Sequence, residues 1–404
     1  SKLMPNHSKI AVVGMSGLFP GSSNLREYWQ NIVSQTAAVS DAPEHRWIAD
    51  QETIVNPIPT PDRALHSRCC LVDKIDLDMS GLNLPPDVVS DLDPLYHIVF
   101  NVGQRALSDP SMRTMNREST GVILAAIALP TDASSKLTRD ILGAYYEKKL
   151  FNSSMNQLPS RNERMAAKVT ASPAALLAIA LGLGGGSYTL DAACASSIYA
   201  VKLACDELMA GRADAMLAGG VSRPDCLYTQ VGFSQLRALS PSGLCAPFDH
   251  RANGLVVGEG AGILVLKRLE DAITDNDPIH GVIHGIGLSN DMRGNLLAPE
   301  SNGQVRAMRA AYAAAGWQPS DIDLIECHGA GTPVGDATEV QSLCSLWGSK
   351  GWRPGQCAIG SVKSMVGHLL TAAGAAGMIK TLLALKEQVL PPSLNFERPP
   401  ENSP

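Results

Sequence analysis

The sequence predicts an α/β protein in which helices cover the faces of β-sheets. Short apolar runs of strand length alternate with longer segments whose apolar residues recur at helical spacing, which is typical of such proteins. The run "TGVILAAIA" at 120–128 is apolar throughout and predicts a buried strand. With 404 residues, of which 45% are hydrophobic and 18% are charged, the chain is long and apolar enough to form a large core.

The elements of the first part of the chain begin with a short apolar strand that runs into Gly and Pro turns. Residues 40–92 are rich in Pro and Asp and are predicted to be irregular, whereas the polar residues 129–164 favour neither helix nor strand. The predicted strands are 10–14, 120–128, 187–192 and 213–219. The predicted helices are 25–34, 96–108, 169–183 and 194–210.

The second part of the chain repeats the alternation of strands and helices, although no exact internal repeat is visible. The predicted strands are 261–267, 280–287 and 322–327. The predicted helices are 302–315, 336–347 and 371–387. The shared rhythm indicates two halves of similar construction.

Charge and cysteine content exclude several classes of protein. The net charge is −6 and no dense Lys/Arg block is present, which argues against a nucleic-acid partner. The nine cysteines are odd in number and form no CxxC pair, which argues against a disulfide framework. The apolar stretches are too short for a membrane span, and the N-terminal residues lack a signal-peptide core. We therefore expect a reduced, cytoplasmic location.

Cys194 lies where the chain changes from strand to helix, in "SYTLDAACASSIYA" at 187–200. The first turn of a helix has outward-pointing N–H groups and a positive dipole end, and both favour the nucleophilic thiolate. We therefore expect a lowered thiol pKa, and the small residues beside Cys194 would let a substrate approach. Taken alone, the segment favours an inert buried thiol, because most cysteines are core residues.

Two histidines shift that balance towards a catalytic thiol. His328 and His368 each lie in a Gly-rich turn, a place where active-site residues of α/β proteins gather. A thiol and two imidazoles can divide the steps of acyl transfer. A metal site is the weaker interpretation and none is predicted: neither histidine has a ligand partner nearby in sequence, and Asp336 and Glu339 lie one turn apart on one helix face.

The chain resembles the β-ketoacyl synthase (ketosynthase) domains of the thiolase superfamily, of the modular polyketide or fatty-acid synthase type. Five segments, in the family's order, carry the resemblance: "IAVVGMSGLFPGS" at 10–22, "DAACASS" at 191–197, "CAPFDHRANGLVVGEGAG" at 245–262, "CHGAGTPVGDATE" at 327–339 and "GSVKSMVGHLLTAAGAAG" at 360–377. They cover nearly the whole chain, and their combination is far more specific than any one motif. The segment around Cys194 is also similar to synthases of polyunsaturated or other specialised long-chain lipids.

The resemblance implies a role for each matching residue. Cys194 would receive the acyl chain from a carrier-protein thioester, and His328 and His368 would stabilise the enolate that forms when the extender unit loses carbon dioxide. Lys363 and Glu339 match a charge pair that orders the site. Asp336 matches a neighbouring acidic position.

The same resemblance bears on substrate binding. Thr332 matches a threonine that hydrogen-bonds the pantetheine arm, but the family's second threonine is Ala330 here, which puts one pantetheine contact in doubt. Substrates would be carried as phosphopantetheine thioesters, and no bound cofactor is expected.

The resemblance also implies an architecture. The fold would be the five-layered αβαβα arrangement of two related halves, 1–260 with the nucleophile and 261–404 with the histidines, in a single domain of residues 1–404. We expect a homodimer paired through strand 187–192, with acyl carrier protein and the neighbouring domains of a multidomain synthase as partners. The family's Gly-rich C-terminal strand has no counterpart before Pro404, so we expect the parent polypeptide to continue.

Three functions remain as alternatives at this point. The first is decarboxylative Claisen condensation, giving a β-ketoacyl thioester in a polyketide or fatty-acid synthase. The second is a non-condensing relative that sets chain length or serves as a scaffold, although such relatives lack the cysteine. The third is an unrelated cysteine acyl-hydrolase, which would release a free acid instead of forming a carbon–carbon bond.

Overall fold

The strands and helices of the computed structural model confirm the predicted α/β class. The structure describes residues 9–72, 74–110, 112, 115–152, 160, 172–295, 298–348 and 353–404. The strands are β1 (Ile10–Leu18), β2 (Ser40–Asp41), β3 (Arg68–Cys69), β4 (Thr120–Ala126), β5 (Ser187–Leu190), β6 (Ala215–Ser222), β7 (Gly260–Arg268), β8 (Gly281–Ile283), β9 (Leu324–Glu326) and β10 (Ala358–Gly360). The helices are α1 (Leu25–Val33), α2 (Gln51–Ile54), α3 (Pro86–Asp91), α4 (Pro94–Ala106), α5 (Asp132–Thr138), α6 (Ala144–Phe151), α7 (Ser172–Leu181), α8 (Ser196–Met209), α9 (Cys226–Gln235), α10 (Leu269–Thr274), α11 (Ser301–Ala315), α12 (Pro333–Trp347), α13 (Lys363–Val366) and α14 (Ala373–Glu387).

A six-stranded mixed sheet forms the centre of the molecule, with the strand order β5-β4-β6-β7-β1-β8. Strand β4 runs parallel to both β5 and β6, whereas β7 is antiparallel to β6 and to β1. Every residue of β4 and β6 is buried, which explains why their sequences are apolar without alternation. Strand β5 is at the edge of the sheet and is only partly buried.

Two hydrophobic clusters cover the two faces of this sheet. One cluster joins the sheet to α4 and α7, and includes Phe100 and Leu177. The other joins it to α8 and α14, and includes Leu208 and Ile379. Burial of these apolar faces against the sheet is the main source of the fold's stability.

A second layer of strands lies beyond α14, and a further layer of helices lies outside it. Strands β9 and β10 pair in parallel. After β8, the chain passes so close to α11 that a Cβ on Gly287 would lie 1.9 Å from the carbonyl oxygen of Ala307. Helix α11 in turn packs against α12. The resulting order of layers is helix, sheet, helix, sheet, helix, which confirms the five-layered arrangement that the resemblance implied.

The structure differs from the sequence-based elements in several places. Part of the unassigned range 129–164 is helical, since α5, a π-helical turn and α6 fill residues 132–151. The predicted strand 280–287 is reduced to β8. Helix α9 was missed because its buried face carries the polar residues Thr229, Gln230 and Ser234, so the sequence shows no apolar helical stripe. The first residues of the predicted helix 169–183 lie outside the described residues.

None of the helices in the described part of the chain is both long enough and apolar enough to cross a membrane.

Asp249 fastens the last described segment of the chain to the loop before β7. Its carboxylate is fully buried and accepts backbone N–H groups from Arg251, Glu397 and Arg398, at 2.9, 2.6 and 3.2 Å. The Arg251 guanidinium also donates to it at 2.8 Å. Burial by itself would raise the pKa of Asp249, but these hydrogen bonds outweigh it and hold the pKa well below the usual value. The ionised carboxylate is therefore a stabilising element of the native fold.

We expect Asp249→Asn to lower the free energy of unfolding by about 3 kcal/mol at pH 7, because an amide N–H₂ cannot accept the N–H groups that the carboxylate accepts. Because the folded pKa is depressed, this contribution is present above the unfolded value of about 4 and is lost as the pH falls through the folded pKa. The difference between the two proteins should therefore shrink below pH 4 in denaturant titrations. Asp62→Asn, at an exposed position, is the matched control. An Asp249→Asn protein as stable as the control at pH 7 would contradict the assignment.

Candidate active site

Cys194 lies on a sharp turn between strand β5 and helix α8. The chain leaves β5 and forms a single 3₁₀ turn, Ala193–Ala195, before α8 begins. Ala193 has a φ of 51°, a left-handed conformation that costs a non-glycine residue of order 1 kcal/mol or more. Asp191 compensates, since one carboxylate oxygen accepts the Ala193 N–H at 2.8 Å and the other accepts the N–H of Ala128 at 2.8 Å. Asp191 therefore stabilises the strained turn on which the Cys194 thiol lies.

His368 lies in a second turn of the same kind. Its backbone N–H donates to Val256 at 2.7 Å, and its carbonyl accepts the N–H of Gly258 at 2.9 Å, so the turn is anchored to the chain before β7. Leu370 has a φ of 49°, and its N–H donates to Nδ1 of His368 at 2.9 Å. A ring nitrogen that accepts a hydrogen bond carries no proton, so the neutral imidazole of His368 has its proton on Nε2. His368 can therefore act as a hydrogen-bond donor through Nε2.

The turns that carry Cys194 and His368 are fastened to each other. The hydroxyl of Ser197 donates to the carbonyl of Thr371 at 2.5 Å, and the hydroxyl of Thr371 donates to the carbonyl of Val221 at 2.6 Å. This close approach depends on Gly220, because a Cβ there would lie 2.3 Å from the Thr371 carbonyl oxygen. Strand β6 thus serves as the common base for both turns.

His328 is held at both ends of its backbone. Glu339, on helix α12, accepts the N–H of His328 at 2.6 Å and the N–H of Gly329 at 2.8 Å. The ammonium of Lys363 donates to the His328 carbonyl at 2.6 Å. Lys363 and Glu339 were expected to form a charge pair, but among the described residues no ion pair joins them within 4.0 Å. Each instead holds one end of the same peptide unit.

These turns bring the three expected reactive groups together. Sγ of Cys194 and one ring nitrogen each of His328 and His368 all lie within 4.8 Å of one another. The two imidazole rings are nearly perpendicular, with centroids 5.4 Å apart and an interplanar angle of 81°. Both imidazoles can therefore form hydrogen bonds to a single reacting atom that lies beside the thiol.

The charge of Lys363 acts on all three reactive groups of this cluster. Lys363 is 6% exposed, and its positive charge lowers the pKa of His328 to about 3. Because His328 is exposed to the cavity described below, the neighbouring charge rather than burial is the decisive cause. Burial, followed by the charge of Lys363, lowers the pKa of His368 well below its usual value of about 6.5. Both imidazoles are therefore neutral at physiological pH.

The expected lowering of the Cys194 pKa is wrong in direction. Burial of the thiol raises its pKa, and this effect exceeds the opposing contributions of the Lys363 charge and of the Cys194 N–H. The 3₁₀ turn also places Cys194 just before α8 rather than within its first turn. In the resting protein Cys194 is therefore a neutral thiol. The expectation failed because the cost of removing a thiolate from water exceeds the stabilisation that a helix N-terminus provides.

Asp336 supports the loop that follows His328. Its two carboxylate oxygens accept the N–H of Phe248 at 2.8 Å and the N–H of Gly331 at 3.2 Å. Burial raises the pKa of Asp336 to about 7. Both Asp336 and Glu339 thus bind backbone N–H groups, and they do not point together at an open position where a metal ion would lie.

Thr332 precedes helix α12 on the other side of this loop. Within the described residues its hydroxyl forms no hydrogen bond, and Gly335 leaves room for it, since a Cβ on Gly335 would lie 2.5 Å from Thr332 Oγ1. The hydroxyl is therefore available to a ligand. Ala330, at the position of the family's second threonine, is buried and offers no hydroxyl.

Cys194 and His328 open onto a cavity of about 600 Å³. The reactive end of the cavity is lined by Cys194, Ala195, His328 and Lys363. Its remaining wall is largely apolar and comes from β8, β9 and α14, with Ile283, Leu324 and Leu382 among its residues. Cys194 and His328 are therefore accessible from this cavity, whereas His368 is 2% exposed and is not among its lining residues.

Two residues of the site escaped the sequence analysis. Glu326 accepts the N–H of Val362 at 2.6 Å, and its other oxygen lies 2.5 Å from Nζ of Lys380. Glu326 is two residues before His328 and directly before the motif at 327–339, which was a usable signal because it places a charged residue near the end of the predicted strand 322–327. Lys380 gave no comparable signal, since a lysine in a helix is normally exposed.

Comparison with known proteins places this geometry in a family. Two sequence-family models match the chain: "Beta-ketoacyl synthase, N-terminal domain" over residues 7–272 and "Beta-ketoacyl synthase, C-terminal domain" over residues 280–397. Polyketide synthase PksL of Bacillus subtilis is 35% identical over 398 residues, which is 97% of this chain and 8% of that protein. The polyunsaturated fatty acid synthase of a Thraustochytrium species has one polypeptide that is 32% identical over 416 residues, covering 97% of this chain and 15% of that protein.

Solved structures agree with the sequence matches. The "PfaC Keto synthase-Chain length factor" structure has a TM-score of 0.90 at 37% identity, over 98% of this chain and 44% of that one. The ketosynthase from module 6 of the bacillaene synthase of Bacillus subtilis has a TM-score of 0.80 at 35% identity, over 97% of this chain and 64% of that one. The chain thus spans a small part of these multidomain synthases. With both family models matched along almost its whole length and a thiol and two imidazoles converging as the motifs predicted, the chain belongs to the β-ketoacyl synthase family.

Proposed function

We propose that this chain forms β-ketoacyl thioesters by decarboxylative Claisen condensation. The acyl chain would be bound to Cys194, and the second substrate would be a malonyl-type extender on an acyl carrier protein. The observation that carries the proposal is the convergence of Sγ of Cys194 with ring nitrogens of two neutral histidines within 4.8 Å.

The first half-reaction is transfer of the acyl group to Cys194. The thiolate attacks the carbonyl of the incoming thioester, the bond between that carbonyl and the pantetheine sulfur breaks, and the pantetheine thiol leaves with the proton that Cys194 gave up. Because burial raises the thiol pKa, burial disfavours the thiolate that this step requires. The charge of Lys363 and the Cys194 N–H are the groups that favour the negative sulfur.

The second half-reaction is decarboxylation followed by carbon–carbon bond formation. The bond to the extender's carboxylate breaks, carbon dioxide leaves, and the electron pair moves into an enolate. Nε2–H of His368 and the imidazole of His328 donate hydrogen bonds to the enolate oxygen. The enolate carbon then attacks the Cys194 thioester, the acyl–sulfur bond breaks, and the thiolate is regenerated.

Neutral histidines suit condensation better than hydrolysis. A cysteine acyl-hydrolase needs a base that can take a proton from water, and an imidazole whose pKa is about 3 is a poor base at neutral pH. A neutral imidazole still donates a hydrogen bond, and it does not readily protonate the enolate. The non-condensing alternative has no need of a nucleophile, and this chain keeps Cys194.

Delivery of the substrates depends on the carrier arm. The free hydroxyl of Thr332 is the proposed hydrogen-bond donor to pantetheine, and Asp336 fixes the loop that carries it. Because relatives of this chain include polyketide and polyunsaturated fatty acid synthases, we propose a carrier protein and neighbouring synthase domains as partners. All nine cysteines are unpaired, which fits a reducing, cytoplasmic environment.

The proposed unit is a single domain that pairs with a second copy. Strand β5 leaves one edge of the sheet unpaired among the described residues, and Tyr188 on it is 40% exposed. Helix α6 presents Leu150 and Phe151, which are 72% and 75% exposed. An open strand edge and an exposed apolar helix are both features that a partner surface normally covers.

Separating the two half-reactions tests the proposal directly. Cys194→Ala should abolish acyl loading, measured by intact mass, and leave the fold unchanged because alanine fits the turn. His328→Ala and His368→Ala should retain loading but slow malonyl decarboxylation by about 100-fold or more, because each removes one donor to the enolate. In the unsubstituted protein, loading should accelerate as the pH rises towards the thiol pKa. The assignment of the histidines would be wrong if loading and decarboxylation fell together in both histidine variants. The assignment of Cys194 would be wrong if Cys194→Ala carried the acyl adduct on another cysteine.

Lys363→Met should make the outcome of the reaction dependent on pH. Without the ammonium, the pKa of His328 rises towards its usual value, so the imidazolium becomes populated as the pH falls from 7.5 to 5.5. An imidazolium protonates the enolate, which gives an acetyl thioester instead of the condensation product. Mass spectrometry of the carrier products should show the ratio of acetyl thioester to condensation product rising at low pH in Lys363→Met. The same ratio should not change with pH in the unsubstituted protein or in the control Lys202→Met. A flat ratio in Lys363→Met would show that its charge does not set the state of His328.

The dimer is tested by light scattering. We expect a species of roughly twice the chain mass of 42.7 kDa, and Phe151→Asp should shift it towards the monomer because it places a charge in an apolar contact. Ile58→Asp, at another exposed apolar position, is the control and should leave the mass unchanged. A single 42.7 kDa species over a broad concentration range would count against pairing.

A further inference from the structure

Glu326 and Lys380 form a buried ion pair beside the catalytic cluster. Their side chains are 12% and 3% exposed, and Oε2 of Glu326 lies 2.5 Å from Nζ of Lys380. Glu326 ends strand β9, and Lys380 lies in the middle of helix α14. Neither residue contributes an atom to the proposed reaction, so the pair needs another explanation.

The pair connects the three segments that carry the catalytic groups. Glu326 lies two residues before His328 on the same strand end. Its Oε1 accepts the N–H of Val362 at 2.6 Å, and Val362 is the residue that precedes Lys363. Lys380 belongs to the helix that follows the His368 turn. A single carboxylate therefore joins the backbone around His328, the backbone around Lys363 and the helix behind His368.

The surroundings of Glu326 leave little freedom for its carboxylate. Gly377 lies one turn before Lys380 on α14, and a Cβ at Gly377 would lie 3.0 Å from Cγ of Glu326. Burial raises the pKa of Glu326, and this is opposed by the charge of Lys380 and by the N–H of Val362. The charge of Lys380 therefore favours the ionised form of a buried carboxylate, which accepts the Val362 N–H.

Stability alone does not account for such a pair. Removing two charges from water costs several kcal/mol per ion, and replacing a buried ion pair by packed apolar residues is often neutral or stabilising. A geometric role is a better explanation. The hydrogen bond from Lys363 to the His328 carbonyl at 2.6 Å requires the turn that carries Lys363 to stay in place against the end of strand β9.

We propose that Glu326 and Lys380 are a positioning pair for the condensation, which hold the Val362–Lys363 turn against the strand end that carries His328. This inference rests on the proposed function. The pair acts on the enolate-stabilising half of the site through Lys363 and His328. The Cys194 turn itself is held by Asp191 and Ser196, so the pair reaches Cys194 only indirectly, through the charge of Lys363.

Two double variants separate positioning from stability. Glu326→Leu with Lys380→Met removes both charges and the acceptor for the Val362 N–H, whereas Glu326→Gln with Lys380→Met removes both charges but keeps a carbonyl acceptor. Each variant is measured for thermal unfolding, for acyl loading of Cys194 and for kcat and KM of decarboxylative condensation with a malonyl carrier thioester. Lys267→Met is the matched control, because Lys267 is also a buried lysine paired with carboxylates, those of Asp275 and Asp277, at the far end of strand β7.

We expect the Leu/Met variant to fold and to lose about 10-fold or more in kcat for condensation with little change in KM, while acyl loading of Cys194 falls much less than condensation. The Gln/Met variant should recover most of that loss, since it restores the hydrogen bond to Val362. Lys267→Met should leave the ratio of the two half-reactions unchanged even if it lowers the melting temperature.

Either of two results would overturn the positioning role. One is a stable Leu/Met variant with normal condensation. The other is a Gln/Met variant that loses loading and condensation equally, together with its melting temperature, which would make the pair a purely structural element. Failure of the proposed function is recognised separately, on the unsubstituted protein: if it loads Cys194 but never condenses, the proposed reaction is wrong and this inference falls with it.

Discussion

The ammonium of Lys363 is the constraint on which the rest of the site depends. It is almost completely buried, it donates to the carbonyl of His328, and its charge acts on both histidines and on Cys194. One positive charge therefore keeps His328 neutral, adds to the effect of burial on His368 and favours a negative sulfur. A neutral group at the same position could make the hydrogen bond but could not set the protonation of three neighbours.

A buried cation must be compensated, and the fold does this with carboxylates that also bind backbone. Glu339 and Asp336 accept N–H groups of the loop after His328, and Glu326 accepts the N–H of the turn that carries Lys363. Each carboxylate thus fixes a segment of chain, and the charge of Lys363 favours the ionised form of each. The site is rigid because the groups that balance its charge are the groups that hold its loops.

The layered fold provides the base against which these loops are held. Ala193, Phe248 and Leu370 have left-handed backbones without being glycine, and each lies next to a catalytic turn or to a hydrogen bond that supports one. Such conformations persist only where the surrounding structure over-determines them. Here the buried strand β6 and the helices α8 and α14 supply that support, through Ser197, Thr371 and the close approach at Gly220.

The sequence by itself determined the α/β class, most strands and helices, and the identities of Cys194, His328 and His368. Those features depend on local periodicity or on motifs in which the reactive residue and its glycines are adjacent. Only the tertiary structure decided what depends on distant segments. It showed that Lys363 and Glu339 hold opposite ends of one peptide unit, that burial raises the Cys194 pKa, and that Glu326 is paired with Lys380. Desolvation and ion pairing are set by atoms that lie close in space but far apart in the chain, so no local pattern of residues could reveal them.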